Sequence, residues 1–573
     1  MSARKICHTL LVASLLVSLV AILSVGAATQ SLPVKPLKPS VRKIVKRGPQ
    51  DTAESIIGER LFNEPRFAQY FASHSSGNVN LPLPQGDPVV SHIYNPKAGV
   101  AYPSPFAGTS FSCRTCHFVD ECTTFIAGEN RTYADFTQRS MIPSRTDGRI
   151  VTVRNARNMV DDFTPRRAAL LLHADGEFAS TEALVKSVML GRTFGWLLSE
   201  HDDAVRHVAK VIREDDGSDK LGAQYGGSYS KLLLGTAPDL PVFLRLSSEY
   251  RLDVSTATDQ QVVDAVARLI GAFLKSLRFE QTPEGIHTGS AYDMFLAKNN
   301  LPLMPNAGES DLDYSRRLLH DIEQLQNPRF ILPYERWLRF HPHLMVFGQQ
   351  ELAGLKLFLR TSAAPAATGG GAAHIGNCAR CHPAPDFTDM RFHNTGGAQE
   401  EFDSVHGAGA FAQLIIPSYE QRSQDPDRYV PATASHPKGS GVFRAIPSAT
   451  TPSATDLGVW NIYANPNYPD VQQQMSAILC GDGPCDPHEQ LPNTIALFRT
   501  PSLRDLGHSW PYLHTGRMAT VEDVLHFYVR MSSLAREGKL RNGAPELRAI
   551  SLDEQDLTAL SAFLSSLDED YDN

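Results

Sequence analysis

Cysteine is scarce in this chain, with eight in 573 residues. That is too few for a fold held together by disulfides. Charge is also in short supply: 54 Lys and Arg against 62 Asp and Glu leave a net charge of −8. No basic excess offers itself to a nucleic-acid backbone, so no nucleic acid is expected as a partner. Long apolar stretches are limited to one run, Leu10 to Val25, which is short for a membrane span. Low complexity is confined to a Pro/Lys-rich stretch near the start and an Ala/Gly stretch from Ala363 to Ala373, which reads as a flexible connector. Histidine is missing from the whole interval between His117 and His173.

Against these absences stand two pentapeptides, Cys113-Arg114-Thr115-Cys116-His117 and Cys378-Ala379-Arg380-Cys381-His382. CxxCH is the attachment signal of c-type haem. The two thiols add to the haem vinyl groups as thioethers, and the histidine that follows binds iron from one face. The expected cofactors are therefore two covalently bound haem c groups, attached at Cys113 and Cys116 and at Cys378 and Cys381. His117 and His382 are the proximal iron ligands. Thioredoxin-like redox chemistry or a zinc site are the competing uses of CxxC, and both fit an exported chain poorly.

Export is the expectation from the first residues. Arg4 and Lys5 precede the apolar run, and Gly26-Ala27-Ala28 supplies small residues for cleavage. Residues 1–28 read as a signal peptide and 29–50 as a Pro/Lys-rich linker. The body of the chain is placed in the periplasm. The basic flank from Lys35 to Arg47 keeps an uncleaved membrane anchor open as an alternative, and secretion stays open too. Cys480 and Cys485 bracket a tight Gly/Pro turn and are expected to form a small disulfide. Cys122 has no evident partner.

Four segments recur in the same order. Gly58-Glu59-Arg60-Leu61-Phe62 answers Gly354-Leu355-Lys356-Leu357-Phe358, each ending a short helix, and the two CxxCH motifs follow. Gly176 to Glu182 answers Gly516 to Glu522, with Ser or Thr before an acid as a helix start. The strings AFLKSL and AFLSSL close two amphipathic helices. Val262, Val266, Leu269, Ile270 and Phe273 line one of them, and Leu557, Leu560, Phe563 and Leu564 the other. The predicted fold is mainly α: two cytochrome-c-like haem domains with long loop and helical insertions. An N-terminal domain covers 51–280, a connecting region 281–344 and a C-terminal domain 345–573.

At this point the chain resembles the bacterial di-haem cytochrome c peroxidase and MauG superfamily. CARCHPAPDFTDMRFHNTG (Cys378 to Gly396) is similar to the family's second haem segment. RTPSLRDLGHSWPYLHTGRMATVEDVLHFY (Arg499 to Tyr528) is similar to its C-terminal signature. GERLFNEPRF and HADGEF match the N-terminal signatures more loosely. The resemblance does not cover 198–260, most of 281–345 or most of 400–490. It implies an open N-terminal haem, where peroxide or oxygen reacts, and a six-coordinate C-terminal haem that passes electrons. The C-terminal distal ligand, Met or Tyr in the family, falls here on Tyr528, with His526 and Met531 as rivals. In the internal repeat the position matching Tyr528 is Val188, which cannot bind iron, although Met189 is adjacent. Laying the first helix over the family's puts Leu184 and Phe194 where the peroxidases carry a distal Gln and Glu. The catalytic candidates are then Phe194 as an apolar wall and Glu182, Arg192 and His173 as substitute proton donors. The resemblance also implies a calcium ion between the domains, held by the Asn155 side chain and the carbonyls of Ser509 and Pro511, oxygen donors that suit Ca²⁺.

Three functions are compatible with these residues. The first is a periplasmic peroxidase-type oxidoreductase, fed by a small cytochrome c or cupredoxin and acting on peroxide. The second is a di-haem oxygenase acting on an apolar organic substrate with O2. The third is a non-enzymatic electron carrier.

Overall fold

Two glycines mark the tightest helix crossings in the chain, and both lie in the repeated segments. In the computed structural model, which describes residues 52–95, 100–104, 106–118, 135–136, 139–163, 170–338, 341, 343–366 and 374–570, the principal helices number eleven. They are α1 (Ala53–Phe62), α2 (Thr181–Met189), α3 (His201–Glu214), α4 (Asp259–Ser276), α5 (Ala291–Lys298) and α6 (Asp311–Glu323). They continue as α7 (Gln349–Leu359), α8 (Gly397–His406), α9 (Pro469–Cys480), α10 (Val521–Arg536) and α11 (Glu554–Ser565). The signal peptide, the 29–50 linker, Cys122 and most of the Ala363–Ala373 stretch lie outside the described residues.

Helix α1 crosses α4 at Gly58, where an added Cβ would sit 2.0 Å from the Leu269 carbonyl oxygen. Helix α7 crosses α11 at Gly354, where a Cβ would sit 2.0 Å from the Ala559 carbonyl oxygen. Only glycine lets the backbones approach this closely. One helical turn on, Phe62 meets Phe273 with ring centroids 5.2 Å apart, and Phe358 meets Phe563 at the same 5.2 Å. The third repeated segment is duplicated as well. Leu172 pairs with Phe178 and Tyr512 with Met518, each across a hairpin containing a positive-φ glycine, Gly176 or Gly516. The helices that follow are capped alike. Ser180 Oγ accepts from Ala183 N at 3.1 Å, and Thr520 Oγ1 accepts from Asp523 N at 3.0 Å.

Strand is limited, among the described residues, to short antiparallel pairs. One joins His117–Phe118 to Asp135–Phe136, and another joins Phe392–His393 to Phe498–Arg499. No helix of the described residues is long and apolar enough to cross a membrane.

The interval 281–344, expected to connect the two domains, contributes two helices to a core. Tyr292, Phe295 and Leu296 of α5 and Tyr314, Leu318 and Ile322 of α6 are buried in one core with Phe358, Phe387 and Phe563. Their i, i+3, i+4 spacing presents an apolar stripe to that core, so α5 and α6 are part of its packing. The 198–260 insertion likewise joins the N-terminal core through Val208 and Ile212 of α3. Its Asp215, fully buried, is held by Arg60 and Arg66, each at 2.9 Å. Residues 400–490 build a third core around Trp460, with Phe402, Phe411, Phe443 and Met475. The expected disulfide, Cys480–Cys485, closes the turn after α9.

Candidate functional site

Each CxxCH motif forms a single 3₁₀ turn, Cys113–Thr115 and Cys378–Arg380, with the second cysteine capping it. The amide of Cys116 donates to the Cys113 carbonyl at 3.2 Å, and that of Cys381 to Cys378 at 3.2 Å. This turn brings both thiols and the histidine to one side. The four cysteines are not disulfide-linked. Burial pushes the thiols of Cys113 and Cys378 up to about 12 and that of Cys116 up to about 11. A redox-active CxxC needs a lowered thiol pKa, so the environment is the reverse of a thioredoxin site.

Burial also keeps both histidines neutral, as iron ligation requires. It lowers His117 to about 4 and shifts His382 downward. His382 Nδ1 donates to the Phe387 carbonyl at 2.9 Å, which fixes the tautomer and leaves Nε2 free for a metal. His117 Nδ1 is buried without a hydrogen-bond partner among the described residues.

Tyr528 lies on α10. Burial raises its hydroxyl pKa, and the nearby thiols of Cys381 and Cys378 raise it further. The phenol thus comes within electrostatic reach of the thiols of the second motif. The rivals are placed elsewhere. The His526 side chain is 46% exposed and lies 3.8 Å from Glu554. Met531 packs its sulfur on Gly396, whose Cβ would be 2.5 Å away. Val188 occupies the station in α2 that Tyr528 occupies in α10, packed at the edge of the N-terminal core, with Met189 fully inside that core.

Phe194 is 1% exposed and meets Phe111 edge to face at 5.7 Å, in the core that also contains Cys116. The polar candidates have other engagements. Glu182 pairs with Lys275 of α4 at 3.1 Å. Its counterpart Glu522 accepts from Ser561 of α11, so this acid clamps helices in both copies. Arg192 holds Asp147 at 2.7 and 2.9 Å and the Arg149 carbonyl at 2.6 Å. His173, at φ +73°, has its Nδ1 3.1 Å from Glu177 and 3.6 Å from Asp175. Those carboxylates raise the His173 pKa.

The rest of that network could not be read from local sequence. Arg444, from the 400–490 insertion, lies 3.1 Å from Asp175 and also pairs with Glu177. Arg154 bridges Asp175 at 2.8 Å and Asp456 at 2.8 Å. HADGEF was the only local hint of these acids, and nothing marked Arg444 as their partner.

Two of the three calcium candidates, Asn155 and Pro511, are in contact. Asn155 Nδ2 contacts the Pro511 carbonyl at 2.5 Å, and the Asn155 amide donates to the His514 carbonyl at 2.7 Å. Asn155 Oδ1 is buried without a hydrogen-bond partner among the described residues. A side-chain oxygen in need of a cation, next to a backbone carbonyl, fits the donor chemistry of Ca²⁺. Ser509 is buried nearby, its Oγ donating to the Asp505 carbonyl at 3.0 Å.

No protein-family model matches the chain. Over 76 residues it is 37% identical to cytochrome-c peroxidase IdrP1 of Denitromonas iodatirespirans, which is 13% of this chain and 19% of that protein. Over 192 residues it is 24% identical to cytochrome-c peroxidase IdrP2 of the same organism, 34% of this chain and 36% of that one. The chain thus matches well under two thirds of either relative's length, and over those stretches it is similar to these two cytochrome-c peroxidases. Among solved structures it is similar to the diheme peroxidase BthA from Burkholderia thailandensis, at TM-score 0.41 and 14% identity, covering 90% of this chain and 86% of that one. It is also similar to a MauG-like protein associated with microbial copper homeostasis, at TM-score 0.40 and 16% identity, covering 95% and 96%. Both overlaps are too loose to transfer residue roles.

Proposed function

We propose that the chain is an exported di-haem c-type oxidoreductase working in the periplasm. Electrons enter at the haem of Cys378, Cys381 and His382 from a small cytochrome c or cupredoxin, and reach peroxide at the haem of Cys113, Cys116 and His117. The asymmetry of the repeat carries this reading. Tyr528 lies beside the second motif, and the equivalent station in the first copy holds Val188, so one iron has a candidate sixth ligand and the other a face left for an exchangeable one. When bound, haem c supplies the one-electron redox change at each iron.

The chain's own groups do the remaining work. His117 and His382 bind as neutral imidazoles, the second aimed by the Phe387 carbonyl. Tyr528, bound as a phenolate, favours the higher iron oxidation state. Asn155, Pro511 and Ser509 supply oxygen donors for a calcium ion joining the two copies. His173, partly exposed and held between two carboxylates, is able to carry a proton from water toward the open side.

Phe194 favours a second reading. A buried phenylalanine where a peroxidase carries an acid leaves the distal face apolar, as an oxygenase acting on an apolar substrate with O2 would want. Lack of a positioned acid or base costs about 10²–10⁴ in rate. The deciding experiment gives the loaded protein peroxide with a reduced cytochrome as donor, and O2 separately. Two haems should stay attached after denaturation, peroxide turnover should be weak, and Phe194→Glu should raise it. Fast turnover in the parent would remove the oxygenase reading and assign the proton to His173. An N-terminal haem that binds no added ligand in either redox state would leave only the electron carrier.

A further inference from the structure

Away from the haem turns, three histidines and two aspartates converge where the 341–343 loop, the 505–508 loop and the residues just after α11 meet. His341 and Asp505 have fully buried side chains, and those of His508 and Asp568 are 2% and 3% exposed. The ring of His341 stacks on that of His508 at 3.9 Å.

The hydrogen bonds at the edge of this cluster determine which nitrogen carries each proton. His341 Nε2 lies 3.0 Å from an Asp505 oxygen and 3.1 Å from the Glu569 carbonyl. Both are acceptors, so Nε2 is the protonated nitrogen and Nδ1 carries a lone pair. That Nδ1 is buried with no hydrogen-bond partner among the described residues, and Asp568 Oδ2 lies 3.6 Å from it. His343 Nδ1 lies 3.1 Å from the Leu344 carbonyl and its Nε2 2.9 Å from the same Asp568 oxygen. Both are acceptors, so without an ion the His343 ring carries a proton on each nitrogen. The other Asp568 oxygen accepts from the Gly507 amide at 3.1 Å. One ligand atom from each of His341, His343 and Asp568 lies within 4.8 Å of the others. The inner proton of His343 satisfies one of these contacts and leaves His341 Nδ1 unmet, whereas a metal ion that displaced it would satisfy all three.

We propose that His341 Nδ1, His343 Nε2 and Asp568 Oδ2 form a binding site for a divalent first-row transition-metal ion, with Zn²⁺ as the ion that fits first. Two imidazoles and a carboxylate are a recurrent set for such ions. The outer contacts are those such a site needs. The Glu569 carbonyl accepts from His341 Nε2 at 3.1 Å, and the Asp505 carboxylate lies 3.0 Å from the same nitrogen, so the ring is held on the side that faces away from the ion. Asp505 also accepts from His508 Nδ1 at 3.1 Å, which packs the supporting imidazole against the ligating one. The His343 side chain is 32% exposed and supplies an entry path and room for a water as fourth ligand.

The other clusters of this kind differ. The His173 group contains Arg444, whose guanidinium already neutralises its acids. The group of Cys381, His393 and Glu546 includes a thiol of the second CxxCH turn, which the proposed haem attachment claims. Asp553 and Asp556, beside His374, cap α11.

The site is tested on the haem-loaded full chain, stripped with a chelator and titrated with Zn²⁺. Calorimetry and elemental analysis should give one zinc per chain beyond the haem iron. The melting temperature should rise by at least about 2 °C at saturation. His343→Ala and Asp568→Asn should abolish the zinc, and Asp505→Asn should weaken it about 10–100-fold. Asp553→Ala should leave it unchanged. Because His343 is partly exposed, its variant should fold even if His341→Ala does not, and haem content checks folding in each case. No stoichiometric zinc in the parent, undiminished zinc in His343→Ala, or displacement of zinc by excess Ca²⁺ would each overturn the assignment.

Discussion

Gly354→Ala is the substitution that should separate the behaviour of the two haems. The new methyl would start 2.0 Å from the Ala559 carbonyl oxygen and 2.8 Å from Phe563 Cβ. Ordinary contact begins at 3.4 Å, so α7 and α11 must part locally by about 1.4 Å. The obstructing atom is backbone and cannot rotate aside. The cost should therefore reach the upper end of the usual overpacking range, about 3 kcal/mol. The displacement also has a direction. The end of α7 is tied to the second haem turn, with the Gly376 amide on the Leu357 carbonyl at 3.1 Å and the Asn377 amide on Arg360 at 3.1 Å. Helix α10, which bears Tyr528, shares its core with α11 through Leu525 and Leu557. Parting α7 from α11 thus moves the haem turn away from Tyr528, whereas metal–ligand distances tolerate only about 0.2 Å. The assay is a denaturant melt together with optical and spin-resonance spectra of both haems. Gly354→Ala should lose stability and convert the C-terminal low-spin signal. Gly58→Ala, equally close to the Leu269 carbonyl at 2.0 Å, should lose comparable stability and leave that signal intact. A Gly354→Ala protein within about 0.5 kcal/mol of the parent, with both spectra unchanged, would refute the reasoning.

Tyr528→Phe should convert one low-spin haem to high spin and shift its potential, while His526→Ala, at an exposed position, should leave the spectrum alone; an unchanged Tyr528→Phe spectrum would pass the role to Met531. The raised pKa of His173 means that its contribution to stability is complete below its ordinary value of about 6.5 and is lost as pH rises through the raised value. His173→Gln should therefore destabilise most below the ordinary histidine value and least once the pH has risen past the raised one, as read by melts across pH, and a pH-independent loss would show that the charge is irrelevant. Chelating calcium should lower stability by about 2.7 kcal/mol relative to protein held at a hundredfold excess over Kd, and Asn155→Ala should remove that response.

The two candidate haem segments were legible as motifs because their pattern is encoded over short spans. CxxCH sets its own turn, so Cys113, Cys116, His117, Cys378, Cys381 and His382 could be proposed from five residues each. The helix repeats were legible because a glycine crossing and an aromatic one turn later recur in both copies. The role of 281–344 was not, since a stripe such as Tyr314, Leu318 and Ile322 shows that a helix is buried without showing against what. Ion-pair partners were the least legible. Arg444 lies hundreds of residues from Asp175 and Glu177, and only the folding of the insertion around Trp460 brings it there. The His341 cluster was hidden for the same reason, because its members come from three distant segments and no one of them carries a recognisable spacing.

The buried acids of the first copy also bear on how the chain is made. Asp175 has no exposure, and its two guanidinium partners, Arg154 and Arg444, come from opposite sides of it in sequence. Asp162 waits for Arg499, and Arg139 for Glu401 at 2.9 Å. A nascent chain emerging from its N-terminus has Cys113 and Cys116 in hand long before these counter-charges arrive. Desolvating these acids with only part of their counter-charge in hand would cost several kcal/mol, which favours a looser first copy until the second has followed. Attachment of haem at the first motif then has an interval in which the thiols remain within reach of an attachment enzyme. Translation order would thus keep the pocket open until it has been filled.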